Sequence, residues 1–148
     1  MTTQTARIPV ARVEILWSEN RTFQQRYGSL EPKTPPSFAS LDAANRFLTA
    51  LAQTAPGPGG GYDKTAFRVT WQDGETYEGR YDLHHAQCRQ ENPNGQIDLG
   101  DHMRAFLEFY AGDRKPAHMR QEHYEDCLKQ VGREFSRQCR EALEKYQI

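Results

Sequence analysis

The sequence lacks a long apolar run, a marked excess of charge of either sign and the even set of cysteines typical of a disulfide framework. No stretch of about 18 apolar residues occurs, and the first residues lack the pattern of a secretory signal. The net charge of −1 argues against both a strongly basic nucleic-acid binder and an acidic DNA mimic. Three cysteines suit a reducing compartment. We therefore expect a cytoplasmic protein that does not enter a membrane.

The chain does contain enough material for one ordinary domain. Its 148 residues include seven Phe, seven Tyr and two Trp, which supply large apolar anchors for a core. We expect a single domain over 1–148, with a flexible linker at about 54–61 because QTAPGPGGGY is rich in proline and glycine. These glycines follow a helix and lack the Lys and hydroxyl residue of a phosphate loop, so a linker is the better interpretation.

Two stretches predict β-strands. The alternating apolar residues of ARVEILW predict a strand over 11–17, and FRVTWQDGETYEGRYDL predicts a β-hairpin over 65–83. A three-residue loop from Gln72 to Gly74, with Gly74 in the left-handed conformation, puts the apolar residues of both strands on one face. In that register Gly79 lies opposite Phe67 and leaves room for its ring. The glycine in mid-strand then needs no ligand to explain it.

Three helices are predicted after the first strand. The apolar spacing of LDAANRFLTALAQ indicates a helix over 41–53 with Ser40 as its cap, and a second helix runs from Asp98 to near Gly112. Pro116 can open the last helix, 116–147, in which only Gly132 interrupts the pattern. The expected fold is α+β: a small antiparallel sheet with a β-hairpin, packed by about three helices, of which the C-terminal one is long.

The last helix carries an apolar seam that is a candidate surface for self-association. A helix of about 30 residues is roughly 45 Å long, whereas a domain of this size has a radius of gyration of only about 15 Å. Its end is therefore expected to overhang the core or to break away from it. An overhanging end with an exposed apolar seam favours a partner, including a second copy of the chain as a homodimer. The self-association candidates are Val131, Phe135 and Tyr146.

The cluster His84, His85 and Cys88 has the most reactive side chains of the sequence, because imidazole and thiolate are zinc ligands. It is a weak metal candidate, since adjacent residues at the end of a strand point to opposite faces and no second ligand pair follows at metal spacing. A nucleophilic cysteine needs a neighbouring base and an electropositive setting, which the sequence does not show. We expect no metal, no cofactor, no catalytic residues and no enzymatic activity.

Basic and imidazole side chains are the candidates for partner binding. Lys129 and three arginines form a stripe along the last helix, but acidic residues four positions away, as in Arg137 to Glu141 and Arg140 to Glu144, favour a solvated face over a phosphate-binding one. The candidates lie on the hairpin, in the following loop and on the last helix; they are Arg68, Arg80, His84, His85, Arg89, Arg133, Arg137 and Arg140.

The phrases GYDK, DGETYEGR and FLEFYAG, together with RVEILWSEN near the start, resemble large polyvalent protein associated domain 25 of phage and conjugative-element proteins. The phrases span about a third of the chain, and the loop HHAQCRQENPNGQ departs from the pattern. The resemblance implies a mobile-element setting in which polyvalent proteins protect or establish incoming DNA. It implies no catalytic residues.

The leading hypothesis for function is a non-enzymatic accessory protein of a phage or plasmid, with a host or mobile-element protein as its partner. It would bind and block a host defence component such as a CRISPR or restriction complex, which is a counter-defence or anti-CRISPR role. One alternative is a nucleic-acid-binding module that uses the basic helix face and the hairpin. The other alternative is a metal-dependent enzyme built around His84, His85 and Cys88.

Overall fold

The computed structural model describes residues 6–18, 35–54, 64–82 and 96–148. The chain groups into two compact units, which we call the sheet unit, residues 10–99, and the helical unit, residues 1–9 with 100–148. Each is described by itself, and the single domain expected from the chain length stays a prediction. The linker expected at about 54–61 lies almost wholly outside the described residues.

The sheet unit contains a four-stranded antiparallel sheet with the strand order β2-β1-β3-β4. The strands are β1 Val10–Ser18, β2 Ser37–Phe38, β3 Lys64–Trp71 and β4 Thr76–Asp82. The predicted strand and hairpin are β1, β3 and β4. Strand β2 was missed, because two residues that follow Pro35 and Pro36 are too few to show an alternating pattern. The Pro36 carbonyl accepts a hydrogen bond of 2.9 Å from the N–H of Ile15.

The hairpin has the predicted register and loop. Trp71 N–H donates to the carbonyl of Glu75 at 2.9 Å, and Gly74, with φ 92°, closes the three-residue loop. Phe67 is paired with Gly79. A Cβ at position 79 would lie 3.0 Å from Cζ of Phe67, so the glycine makes room for the ring as the register implied.

One face of the sheet is buried, and the alternation of the strands places the apolar residues on it. Val13 and Ile15 of β1 and Phe67, Val69 and Trp71 of β3 are buried. Full burial of one such side chain stabilises the fold by about 1.5–3 kcal/mol. This face therefore supplies much of the core of the sheet unit.

Helix α1, Leu41–Thr54, also belongs to the sheet unit and contacts β1 and β2. Ser40 caps it as predicted, since its Oγ accepts from Ala43 N–H at 3.2 Å. Two polar side chains of α1 accept hydrogen bonds from the chain before the next helix: Thr49 Oγ1 from Ile97 N–H and Asn45 Oδ1 from Leu99 N–H. These bonds satisfy backbone donors at the point where that helix begins.

Helices α2, Leu99–Ala111, and α3, Gln121–Lys145, make up most of the helical unit. The three helices and the antiparallel sheet confirm the α+β fold. Helix α3 begins at Gln121 and not at Pro116, because residues 116–119 close a turn in which Met119 N–H donates to the Pro116 carbonyl. Arg120, with ψ 145°, is still extended. None of the described helices combines the length and apolar character needed to cross a bilayer.

Candidate functional site

The described residues of the helical unit bring together two features, an aromatic cluster on α2 and α3 and a cavity in α3. The two helices are joined by Tyr124, whose hydroxyl donates to the Phe109 carbonyl at 2.8 Å and whose ring meets the Phe109 ring edge-on at 4.9 Å. Burial raises the pKa of the Tyr124 phenol, so the hydroxyl stays a neutral donor. Tyr124 therefore fixes how α3 lies on α2.

Phe106, Tyr110 and Phe135 form what we call the aromatic patch. The Phe106 ring centroid lies 4.8 Å from that of Tyr110 and 6.4 Å from that of Phe135, and the Tyr110 and Phe135 centroids are 5.6 Å apart. Tyr110 and Phe135 are half-buried, whereas 38% of Phe106 is exposed. The spacing of Leu99, Met103, Phe106, Leu107 and Tyr110 indicates a core-facing stripe, but spacing alone cannot show that the edge of a stripe lies in solvent.

The self-association candidates occupy different environments. Phe135 contacts the rings of α2, Val131 is half-buried, and Tyr146 is buried beside the N-terminal segment. That segment adds backbone bonds at the end of α3, where Ile8 N–H donates to the Lys145 carbonyl at 2.9 Å. Much of the predicted seam thus serves packing inside the helical unit, and self-association stays a prediction.

Helix α3 is interrupted at Gly132, which has φ 85° and ψ 164°. This conformation is accessible almost only to glycine. An open cavity of about 550 Å³ lies at the interruption, and we call it the break cavity. Among the described residues, those that line it are Leu128, Lys129, Gly132, Arg133, Ser136 and Arg140.

The basic residues of α3 differ in how their charges are compensated. Arg137 forms ion pairs with Glu134 and with Glu141, the latter at 2.7 Å, which confirms the predicted spacing pair. The hydrogen bond from Arg137 lowers the pKa of the Glu134 carboxyl. Arg140 donates from Nη2 to the Ala111 carbonyl of α2. Arg133 is exposed and lines the break cavity.

The hairpin arginines lie on the outer face of the sheet. Arg68 donates to Glu78 at 2.7 Å, and its Nη1 lies 3.7 Å from Oε1 of Glu14. That same oxygen is buried and lies 3.3 Å from Nε of Arg12, without hydrogen-bond geometry to it. Arg80 is exposed. Arg68 is therefore part of a cross-strand charge network on the sheet and not an uncompensated cation.

The metal candidates His84, His85 and Cys88, and the partner candidate Arg89, lie outside the described residues. Within the ranges that are described, no group of three or more His, Cys, Asp or Glu side chains could hold a metal ion. Burial raises the pKa of the Cys139 thiol, which keeps it protonated. Cys139 lies four residues after Phe135 of the seam, and its burial is that of an inert thiol.

The sequence did not single out Ser136 or the exposure of Phe106. A usable signal for the break cavity was present, since Lys129, Arg133, Ser136 and Arg140 recur at steps of four, three and four, which would be one face of an uninterrupted helix. Arg137 belonged equally to the predicted stripe, however. The backbone of Gly132 and the acceptors near each side chain decide which cations line the cavity.

The family model for large polyvalent protein associated domain 25 matches residues 6–125. The match is wider than the phrases that suggested it, because it spans the connection after β1 and the loop at 84–96, and it ends within the first turns of α3. No curated protein and no solved structure matches the chain. Because the family model covers well over half of the sequence, the chain belongs to the family of large polyvalent protein associated domain 25, a domain associated with polyvalent proteins of mobile elements.

Proposed function

We propose that the chain is a non-enzymatic accessory protein of a mobile element that binds a host defence protein in the cytoplasm and blocks it sterically. The family supplies the mobile-element setting. The observation that carries protein binding is the aromatic patch, in which Phe106 is 38% exposed. Aromatic residues are enriched in the energetic centres of protein interfaces.

The patch is suited to binding because its rings hold one another in place. Edge-on contacts of Phe135 with Phe106 and Tyr110 restrict all three side chains before a partner arrives. Binding then costs less conformational entropy than it would for isolated, mobile side chains. A rigid aromatic surface of this kind is what an anchor for a partner pocket requires.

The charged residues of α2 lie mainly on the face away from Phe106 and, like Arg114 just after the helix, are compensated within the helical unit. Arg104 pairs with Asp101 at 2.7 Å and also donates to the backbone carbonyl of Ile148 at 2.9 Å. Arg114 lies 3.5 Å from Glu108. These ion pairs are satisfied within the chain, so the aromatic patch and not the charged face of α2 is the candidate contact surface.

A nucleic-acid-binding module fits these surfaces less well. Arg68 and Arg137, two of the arginines expected to meet phosphates, each lie beside two carboxylates. A phosphate would have to displace or tolerate those carboxylates, which reduces the gain from counterion release. The charge distribution of the hairpin and of this part of α3 thus favours a protein partner.

The test is relief of host defence in living cells. Phage plating or plasmid establishment is measured in hosts that carry a restriction or CRISPR system, with and without the protein. We expect the wild type to raise the efficiency and Phe106→Glu to abolish the effect, because a charge in the centre of an apolar contact must be desolvated. Ala117→Glu is the matched control, since it adds the same charge at an exposed position of the helical unit outside the patch.

Site-specific crosslinking identifies the partner. A photoreactive phenylalanine analogue at position 106 should crosslink one defence protein in cells that show relief, whereas the analogue at position 117 should not. Absence of relief across the defence systems would overturn the proposal. Crosslinks from position 106 to nucleic acid alone would replace it with the nucleic-acid-binding alternative.

A further inference from the structure

The break cavity gathers positive charge at one place in α3. Lys129, Arg133 and Arg140 all line it, together with the hydroxyl residue Ser136. The cavity lies beyond residue 125, where the family match ends. The family match therefore assigns no ligand to the cavity.

The charge of the cavity is not compensated by the acidic residues of the same stretch of helix. Glu134 and Glu141 are both engaged by Arg137, which is not among the lining residues. In the part of the chain that the structure describes, no carboxylate lies within ion-pair distance of Lys129 or Arg133. Two cations of the cavity are thus available to an anionic ligand.

Arg140 contributes oriented hydrogen-bond donors as well as positive charge. Its Nη2 donates to the Ala111 carbonyl, which anchors the guanidinium group against α2. A guanidinium group carries five N–H donors, so the others remain for a ligand. An anchored arginine loses little side-chain freedom when an oxyanion binds, and its planar fork suits phosphate oxygens.

We propose that the break cavity binds the phosphate group of a nucleotide. Lys129, Arg133 and Arg140 would neutralise the phosphate, the Ser136 hydroxyl would donate to one of its oxygens, and the Leu128 side chain would contact the apolar face of the base or sugar. A volume of about 550 Å³ is in the range of small-molecule sites and exceeds what a bare phosphate fills. The inference is independent of the aromatic patch and of the proposed defence target.

Calorimetric titration of the full chain with AMP tests the proposal. We expect saturable binding that inorganic phosphate displaces, and Arg133→Gln should weaken it by about tenfold or more, as removal of a charge-assisted hydrogen bond does. Arg46→Gln is the matched control, because it removes the same charge from an exposed helical position that does not line the cavity, where Arg46 lies 3.5 Å from Asp42. Its affinity should stay within about twofold of the wild type, since its charge is already compensated.

A fluorescent oligo-dT strand distinguishes the two sources of a nucleotide phosphate. If the strand binds, competes with AMP and is lost in Arg133→Gln, the source is a single-stranded nucleic acid; if AMP alone binds, it is a free nucleotide. Either result supports the site. Ser136→Ala leaves all charges in place and is a second test. We expect it to weaken the binding of AMP without altering the fold. The proposal would be overturned if AMP, phosphate and the strand all failed to bind at millimolar concentration, or if Arg46→Gln weakened binding as much as Arg133→Gln.

Discussion

Replacement of Gly132 by alanine tests the feature that shapes α3. With φ 85° and ψ 164°, the residue lies in a region that is essentially restricted to glycine. An alanine held there costs about 1–3 kcal/mol in backbone strain. A Cβ at this position would have no atom within 4 Å, so steric contact adds nothing and the cost is conformational. We expect the free energy of unfolding to fall by about 1–3 kcal/mol.

The Gly132→Ala variant can avoid this backbone strain only if the helix continues through position 132. Alanine is favoured over glycine in a helix interior by about 1 kcal/mol. Straightening would rotate the residues after 132 about the helix axis, however, and so separate Phe135 from the rings of α2 and Arg140 from the Ala111 carbonyl. Aromatic pairs contribute about 0.5–1.5 kcal/mol each and a hydrogen bond from a charged donor about 1.5–3. The loss exceeds the gain by either route.

Urea denaturation followed by circular dichroism at 222 nm measures the effect, and thermal unfolding should show a midpoint lower by roughly 2–4 °C for each kcal/mol. Ser136→Ala, in the ordinary helical part of α3, is the control and should change stability by no more than about 0.5 kcal/mol. If Gly132→Ala were as stable as the wild type or more so, with a larger helical signal, α3 would be a continuous helix and our reasoning about the break would be refuted.

Three further predictions concern other parts of the chain. Gly79→Ala should lower the urea midpoint, because its Cβ would lie 3.0 Å from a ring atom of the facing phenylalanine; an unchanged midpoint would contradict the tight packing. Arg137→Gln should raise the pKa of Glu134 in an NMR titration, since Arg137 lowers it below the ordinary 4.5. A folded-state pKa below the unfolded one means that this pair stabilises the fold above about pH 4.5 and that its contribution is lost as the pH falls through the lowered pKa; an unmoved pKa would refute the pairing. Cys139 should react with a thiol reagent more slowly than Cys127 in peptide-resolved mass spectrometry, because it is buried and its pKa is raised; equal rates would contradict its burial.

The hairpin and the charge pairs of α3 show how far local pattern reaches. The loop from Gln72 to Gly74 follows from the need to place apolar residues of both strands on one face, a constraint that lies wholly within 17 residues of sequence. The Arg137 to Glu141 pair follows from helical spacing. In both cases the interacting residues are neighbours whose geometry the secondary structure fixes.

The start of α3 and strand β2 show where local pattern fails. Pro116 is compatible with the first turn of a helix, but it is equally compatible with the turn that the chain forms. Two residues at 37–38 become a strand only because the edge of β1 is present to pair with them. Sequence spacing does not distinguish the two local outcomes at Pro116, and the pairing of residues 37–38 depends on a strand that is distant in the sequence.

The sequence by itself determined the α+β class, the register of the hairpin and the amphipathic faces of the helices, because periodicity and turn chemistry act between residues close in the chain. The sequence also contains the phrases that resemble large polyvalent protein associated domain 25. Only the tertiary structure decided that Phe106 is exposed, that Arg133 lines a cavity, and that Arg140 is anchored to Ala111, 29 residues away. Those outcomes depend on which atoms meet when α2 and α3 pack against each other and on a backbone conformation at Gly132 that interrupts the helical period.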